Sequence, residues 1–286
     1  MSKKPLLIFG NGLGMALDSD HFNLSNALKK VWNGARVLSD PDRRMIGSCI
    51  NTEGVPRAEN DLDLLQRVVS ACQFLCNLET GDEHWLSDQG QKFPEIIATY
   101  IYRVSARLYA YDGMLPEAFL SPLLAYIRKQ RPNVATLNYD KLLYQAFLDS
   151  EVCSGDYHTT ALADGMIHCG FSEASLRRKF GNTYGYYMHL HGSPLFLDNG
   201  GNITKKNVSG VSSNYHGKIG RHVVLTHVDH KVSLIQSSNV LSVYWKLLDE
   251  SLMDADQIVL FGYSGCDSHL NDLISLRKSG KQIRII

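Results

Sequence analysis

Between Pro5 and Asp18 the chain reads PLLIFGNGLGMALD, and this stretch restricts the possible folds more than any other. Four apolar residues, Leu6 to Phe9, run directly into Gly10, Asn11, Gly12, Leu13 and Gly14. An apolar run without alternation fits a short strand buried on both faces, as in a parallel sheet covered by helices. The glycines permit φ > 0 and let a phosphate come close to bare N–H groups where a helix begins. The spacing G-x-G-x-G is shorter than the dinucleotide fingerprint. Alone, it fits a nucleotide site and a strand-to-helix turn that needs glycine for folding equally well.

The same arrangement recurs downstream. NVATL at 133–137 runs into Asn138, Tyr139 and Asp140, after which helical spacing resumes from Lys141 to Leu148. YGYYMHL at 184–190 is strand-like and delivers His189, His191 and Gly192. QIVLF at 257–261 ends in Gly262, Tyr263, Ser264, Gly265, Cys266 and Asp267, followed by a helix from Ser268 to Ser279 and a last strand from Gln282 to Ile286. Open α/β sheets bind ligands at the carboxyl ends of their strands, so polar residues repeated there point to one site. Asp140 as a helix cap and Asn138 as a turn residue is the plainer alternative. Alternation places His189 and His191 on one strand face, which suits a metal pair as much as a catalytic base. His216, His222, His227 and His230 offer no tight ligand spacing, so no metal is expected and His191 is the better candidate for chemistry.

The segments between these motifs are largely helical. Asn23 or Ser25 caps a helix through Trp32, and residues 40–60, with Pro41 and Pro56, read as a surface loop or lid. Helical periodicity runs from Asp61 to Cys76, from Phe93 to Tyr111 and from Leu115 to Gln130, with Ser121 and Pro122 read as the cap and first position of a new helix. Further on, 194–204 reads as a hairpin turning at Asn199 to Gly201, the stretch to Gly220 as a flexible loop that, like 40–60, could gate the site, His222 to Thr226 as a strand, and Ser237 to Met253 as an amphipathic helix. The expected fold is α/β: a Rossmann-like, mostly parallel sheet flanked by helices. The whole chain, 1–286, forms a single domain, with a core of about 1–40 and 131–286 and an all-helical insert at about 55–130.

Composition narrows the function classes. With 29 basic and 29 acidic residues and no basic stripe, direct nucleic-acid binding is not expected. The six cysteines contain no CxxC pair. Lys3 and Lys4 before LLIF imitate a signal peptide, but Gly10 to Gly12 interrupt the apolar run, and no segment approaches the roughly 18 residues of a membrane span. A cytoplasmic protein without membrane association is expected.

GNGLG at 10–14, TLNYD at 136–140, HLHG at 189–192 and FGYSGCD at 261–267, in this order around a helical insert, resemble the sirtuin-like family, specifically the bacterial defence-associated branch whose members hydrolyse NAD. The resemblance covers nearly the whole chain through short motifs. It implies NAD held across the strand ends, with Gly10, Asn11 and Gly12 on the diphosphate, and Asn138 positioning the nicotinamide ribose or attacking water with support from Asp140. His191 would be the general base, and Gly262, Ser264 and Asp267 would line the adenosine side. An acid between Glu59 and Asp63, in a motif that varies within the family, is left unassigned. Protein-deacylating sirtuins carry a four-cysteine zinc module after the His-Gly motif, whereas no cysteine lies between Gly192 and Cys266 here.

The resemblance thus implies an NAD+ glycohydrolase releasing nicotinamide and ADP-ribose, the toxic effector of an anti-phage system. It also implies a homo-oligomer and a HerA-type ATPase or similar neighbour as partner. The alternatives are a non-catalytic NAD- or ADP-ribose-binding regulatory module and an NAD-dependent protein deacylase. Asn138 and His191 together favour turnover over binding alone, because a binder has no need of a base.

Overall fold

The first strand, β1 (Leu6–Phe9), is buried at every position, as its unbroken apolar run requires. In the computed structural model, which describes residues 4–35, 37–50, 54–78, 85–155, 160–178, 183–199, 201–207, 211, 222–225 and 228–286, β1 lies inside a seven-stranded sheet. The chain continues through α1 (Gly12–Leu17), α2 (Leu24–Trp32), α3 (Asp40–Cys49), α4 (Glu59–Cys76), α5 (Asp88–Tyr109) and α6 (Glu117–Gln130). Then come β2 (Asn133–Thr136), α7 (Leu142–Asp149), β3 (Cys153–Ser154), β4 (Leu162–Ala163), β5 (Met166–Ile167), β6 (Gly170–Phe171) and β7 (Gly185–His189). The remainder is β8 (Phe196–Asn199), β9 (Asn202–Lys205), α8 (Val228–Ser237), α9 (Asn239–Asp254), β10 (Gln257–Phe261), α10 (Ser268–Arg277) and β11 (Gln282–Ile285).

The sheet order is β11-β10-β1-β2-β7-β4-β3, and all of its pairings are parallel. Leu6 pairs with Ile258 on one side and Asn133 on the other, so the three glycine- or asparagine-bearing loops after β1, β2 and β10 leave the sheet at one level. From β1 the sheet extends through β2, β7, β4 and β3 on one side, the chain reaching the edge at β3 and returning through β4 to β7, and through β10 and β11 on the other. The order therefore reverses beside β1, where a ligand crevice opens in such sheets. This is the Rossmann-like α/β architecture expected from the sequence.

Two apolar clusters hold the chain together. One joins the sheet to α6, α7, α9 and α10 through residues such as Ile8, Ile127, Phe147, Leu248 and Ile274. The other packs α2, α3, α4 and α5 through Leu28, Ile46, Leu65 and Ile97. Truncating such buried aliphatic side chains costs about 2–5 kcal/mol each, which makes the helical segment a packed body rather than a linker.

Several elements differ from expectation. Residues 40–49 form α3, not a loop: Ser39 accepts from the Asp42 amide, Asp42 returns a bond to the Ser39 amide, and Pro41 sits where its missing N–H costs nothing. Pro122 lies inside α6 instead of opening a new helix, because one proline forfeits a single ladder bond while the turns on either side stay packed. The helix expected over Ser237 to Met253 is present as α9, capped by the Ser238 side chain accepting from the Leu241 amide, and α8 just before it was not expected. His222 to Leu225 form no strand; the stretch has one bridge, Val223 to Gly192, and Thr226 lies outside the described residues. The expected hairpin is present as antiparallel β8 and β9. The glycine-punctuated region after α7 contributes β3 and β4, too short for periodicity to reveal.

The loops after β1 and β10 meet backbone to backbone. Gly12 N–H donates to Gly262 O at 2.8 Å, and a Cβ on Gly12 would stand 2.7 Å from both Gly262 Cα and Gly262 O. Gly12→Ala is therefore expected to destabilise the protein by about 1–3 kcal/mol through overpacking. Calorimetry should show a melting temperature lower by roughly 3–10 °C; an unchanged value would mean that the two loops separate at little cost.

Candidate functional site

A cleft of about 150 Å3 opens at the strand ends beside β1, lined by residues that include Gly10, Asn11, Glu59, Asn138, Asp140, His191, Lys231, Ser264 and Asp267. Four successive strand-to-loop junctions supply these groups, together with α4 and α8. The sheet thus brings together the four motifs that the chain spreads between residues 10 and 267.

After β2 the chain turns sharply, with the Asn138 amide N–H donating to Thr136 Oγ1 at 3.1 Å. Asn138 is buried, yet neither its Oδ1 nor its Nδ2 has a hydrogen-bond partner. An amide so placed pays a desolvation cost that a ligand would relieve. Asp140 Oδ1 accepts from the Leu142 amide at 3.0 Å, as a helix-capping residue would, but Oδ2 has no partner. Burial drives the Asp140 pKa up to about 6 against the opposing effect of the Leu142 amide, its own amide and the neighbouring Asn138 side chain. Capping is thus part of Asp140's work, and a half-satisfied carboxyl in the cleft is the rest.

His191 follows β7 at a turn completed by Gly192, whose φ of +79° and 1.6 Å separation between an added Cβ and His222 O exclude any side chain. The His191 carbonyl accepts from Val224 N at 2.9 Å, and Trp245 Nε1 donates to Leu190 O at 2.8 Å, which fixes the turn from two sides. The ring's Nε2 lies 2.8 Å from Asp267 Oδ2. A carboxylate oxygen only accepts, so Nε2 carries the proton and Nδ1 is left with the lone pair. Burial, then the nearby Lys231 ammonium, push the His191 pKa down, against the opposing effect of Asp267. The neutral ring is favoured.

Asp267 is held on all sides. Its Oδ1 caps α10 through the Leu270 amide at 3.1 Å, its Oδ2 also accepts from Lys231 Nζ at 2.9 Å, and its own amide donates to the Tyr263 hydroxyl at 3.2 Å. Burial works against the charge, but His191 and Lys231 outweigh it and keep the carboxyl well below the usual carboxylate range. The resemblance implied a place for Asp267 on the adenosine side; the structure puts it against His191.

Other expected roles are redistributed. The Gly10 and Gly12 N–H groups, expected to meet a diphosphate, are spent on Phe261 O (2.9 Å) and Gly262 O (2.8 Å), so these glycines serve close packing of β1 against β10. Gly10 and Asn11 still line the cleft, whereas Gly12 and Gly262 lie behind it; the Asn11 side chain donates to Phe22 O at 3.0 Å. Ser264 also lines the cleft. His189 and His191 do not form a pair: the strand ends at His189, whose ring packs edge-on to Tyr144, Tyr187 and Phe196, away from the cleft. Burial and then Lys205 lower the His189 pKa to about 3. Among the described residues no group of three histidines, cysteines or acids is placed to hold a metal; His216 and His227 and the side chain of His230 lie outside them. No described helix is long and apolar enough to cross a membrane.

Two contributors were not assigned from sequence. Glu59 opens α4 and reaches the cleft wall, and Lys231 comes from α8. The one sequence cue for Lys231 is its spacing from Ile235, four residues on and also buried, which puts a cation on an apolar helix face. No family model matches the chain, and no curated protein matches it.

The raised Asp140 pKa has a stability consequence. Between the ordinary value of about 3.9 and the folded value of about 6, the fold retains a proton that the unfolded chain releases. The stability this confers is complete below about pH 4 and is lost as the pH rises through about 6. Asp140→Asn removes the charge while keeping an acceptor for the Leu142 amide, and is expected to stabilise the protein by about 3 kcal/mol at pH 8 and hardly at all near pH 4. Urea unfolding at the two pH values checks this; equal effects at both would rule out the buried charge as the cause.

Proposed function

We propose that the protein is an NAD+ glycohydrolase that cleaves the nicotinamide–ribose bond to give nicotinamide and ADP-ribose. The observation that carries this reading is the juxtaposition, in one cleft at the sheet's reversal point, of an unsatisfied buried amide, Asn138, and a histidine, His191, whose tautomer is set by Asp267. The order of the four motifs, which resembles the sirtuin-like defence branch, supplies the substrate.

The chemistry suits these groups. Nicotinamide departs from C1′ through a cation-like transition state, so charge develops on the ribose. The Glu59 and Asp140 carboxyls, both in the cleft wall, supply a negative field for that cation when ionised. Asn138 orients a ribose hydroxyl or the attacking water, because an amide both donates and accepts without adding charge. As water attacks, His191 Nδ1 takes its proton, and the resulting imidazolium is stabilised through Nε2–H by Asp267. NAD fits the unmet bonding capacity of Asn138 and Asp140 Oδ2; the residues that would take its diphosphate are not Gly10 and Gly12 through their N–H groups.

The wider role, an NAD-depleting effector of bacterial anti-phage defence acting in the cytoplasm as a homo-oligomer with a HerA-type ATPase or similar partner, rests on the sequence resemblance alone. The test is NAD consumption by the purified protein, alone and with the product of the neighbouring gene, with nicotinamide and ADP-ribose quantified. His191→Ala and Asn138→Ala should each lower the rate by about 10²–10⁴-fold. NAD that binds but stays intact under both conditions would replace the hydrolase by a regulatory binding module.

A further inference from the structure

Lys231 has no task in the reaction described above, although it is among the most completely buried charged side chains of the cleft, at 3% exposed. Lysine is rarely so buried unless paired. Its partner is the same oxygen, Asp267 Oδ2, that receives His191 Nε2–H: the ammonium stands at 2.9 Å and the imidazole nitrogen at 2.8 Å. The other carboxylate oxygen is occupied by the α10 cap. Asp267 therefore cannot turn away from His191 without giving up the Lys231 bond and the cap together.

This shared oxygen also fixes the balance of charge. With a neutral ring the group holds one cation and one anion; a protonated ring adds a second cation against the same oxygen, close to the first. The other groups facing His191 are Glu59 at the start of α4, whose charge favours the protonated ring, and Tyr139 after β2, its ring centroid 6.2 Å away. Burial pushes the Tyr139 phenol well above its ordinary pKa, so it stays uncharged. His269 on α10 senses the same Asp267 and Lys231 charges. Lys231 is the nearby group that opposes protonation of His191 by direct charge.

We propose that Lys231 is a positioning residue for His191: by sharing Asp267 Oδ2 it locks the carboxylate onto Nε2–H, holds the ring as the neutral tautomer with Nδ1 free, and disfavours the imidazolium until a proton is taken from the substrate side. This rests on the reading of His191 as the base of NAD cleavage and adds the device that keeps that base unprotonated.

The test reads His191 without substrate. Two-bond proton–nitrogen NMR spectra of the full chain, with nitrogen-15 in its histidines and His191 assigned by its loss in His191→Gln, report both the tautomer and the titration midpoint. The wild-type ring is expected to be neutral and protonated on Nε2 at pH 7. Lys231→Met should raise its midpoint by about one pH unit, and Lys231→Arg, which keeps the cation, should leave it near the wild-type value. In parallel, the acid limb of kcat/KM for NAD cleavage should move up by the same amount in Lys231→Met, so that its rate relative to wild type, unchanged near about pH 8.5, falls as the pH drops and approaches a tenfold loss below the wild-type midpoint. A wild-type ring carrying its proton on Nδ1 or charged at pH 7, or a folded Lys231→Met or Lys231→Gln protein with an unmoved midpoint, overturns the proposal. Should both uncharged variants fail to fold, the wild-type tautomer decides. A shifted midpoint in a protein that never turns over NAD would keep the role of Lys231 and remove the glycohydrolase reading; turnover with an unmoved His191 would do the reverse.

Discussion

The contact on which the site depends is the 2.8 Å hydrogen bond from Gly12 N–H to Gly262 O, where the loops after β1 and β10 pass with no side chain between them. β1 is flanked by β2 and β10, and all three strands end at one level because their parallel registers coincide. Bringing two such loops together leaves room for backbone alone, and Gly262 takes φ of +59° to turn away. From this junction the β10 loop delivers Asp267 to His191, which arrives from β7 on the far side of β2. Without the glycine contact the carboxylate and the imidazole would belong to separate walls.

Asp267 concentrates three duties in one side chain. It caps a helix, sets a histidine tautomer and neutralises a buried lysine, and each bond restricts the rotamer that the others require. The groups after β2 are arranged on a different principle. Asn138 and Asp140 keep polar atoms buried without partners, a cost that folding alone gives no reason to bear. The Asp267 cluster has its polar atoms bonded while Asn138 and Asp140 do not, and this asymmetry is what a bound substrate would complete.

Much of the fold was legible in the chain. LLIF, NVAT and QIVLF declared themselves as strands because no polar residue interrupts their apolar interiors, and α2, α4, α5 and α6 followed from apolar spacing. Where expectation failed, short-range bonding was responsible. A reciprocal Ser39–Asp42 cap made a helix from a polar stretch. β3 and β4 are two residues long, below the length at which any period can be read.

By itself the sequence determined which residues stand at strand ends: Asn138, Asp140, His191 and Asp267 each follow a strand, and that follows from local hydrophobic pattern and glycine placement. Only the tertiary structure decided which of them meet. Strand order put Asp267 on His191 and turned His189 into the aromatic core, glycine N–H groups were consumed by the neighbouring strand's carbonyls, and a helix from elsewhere brought Lys231 to the shared oxygen. Such pairings are set by sheet order and helix packing, long-range properties that local pattern does not encode.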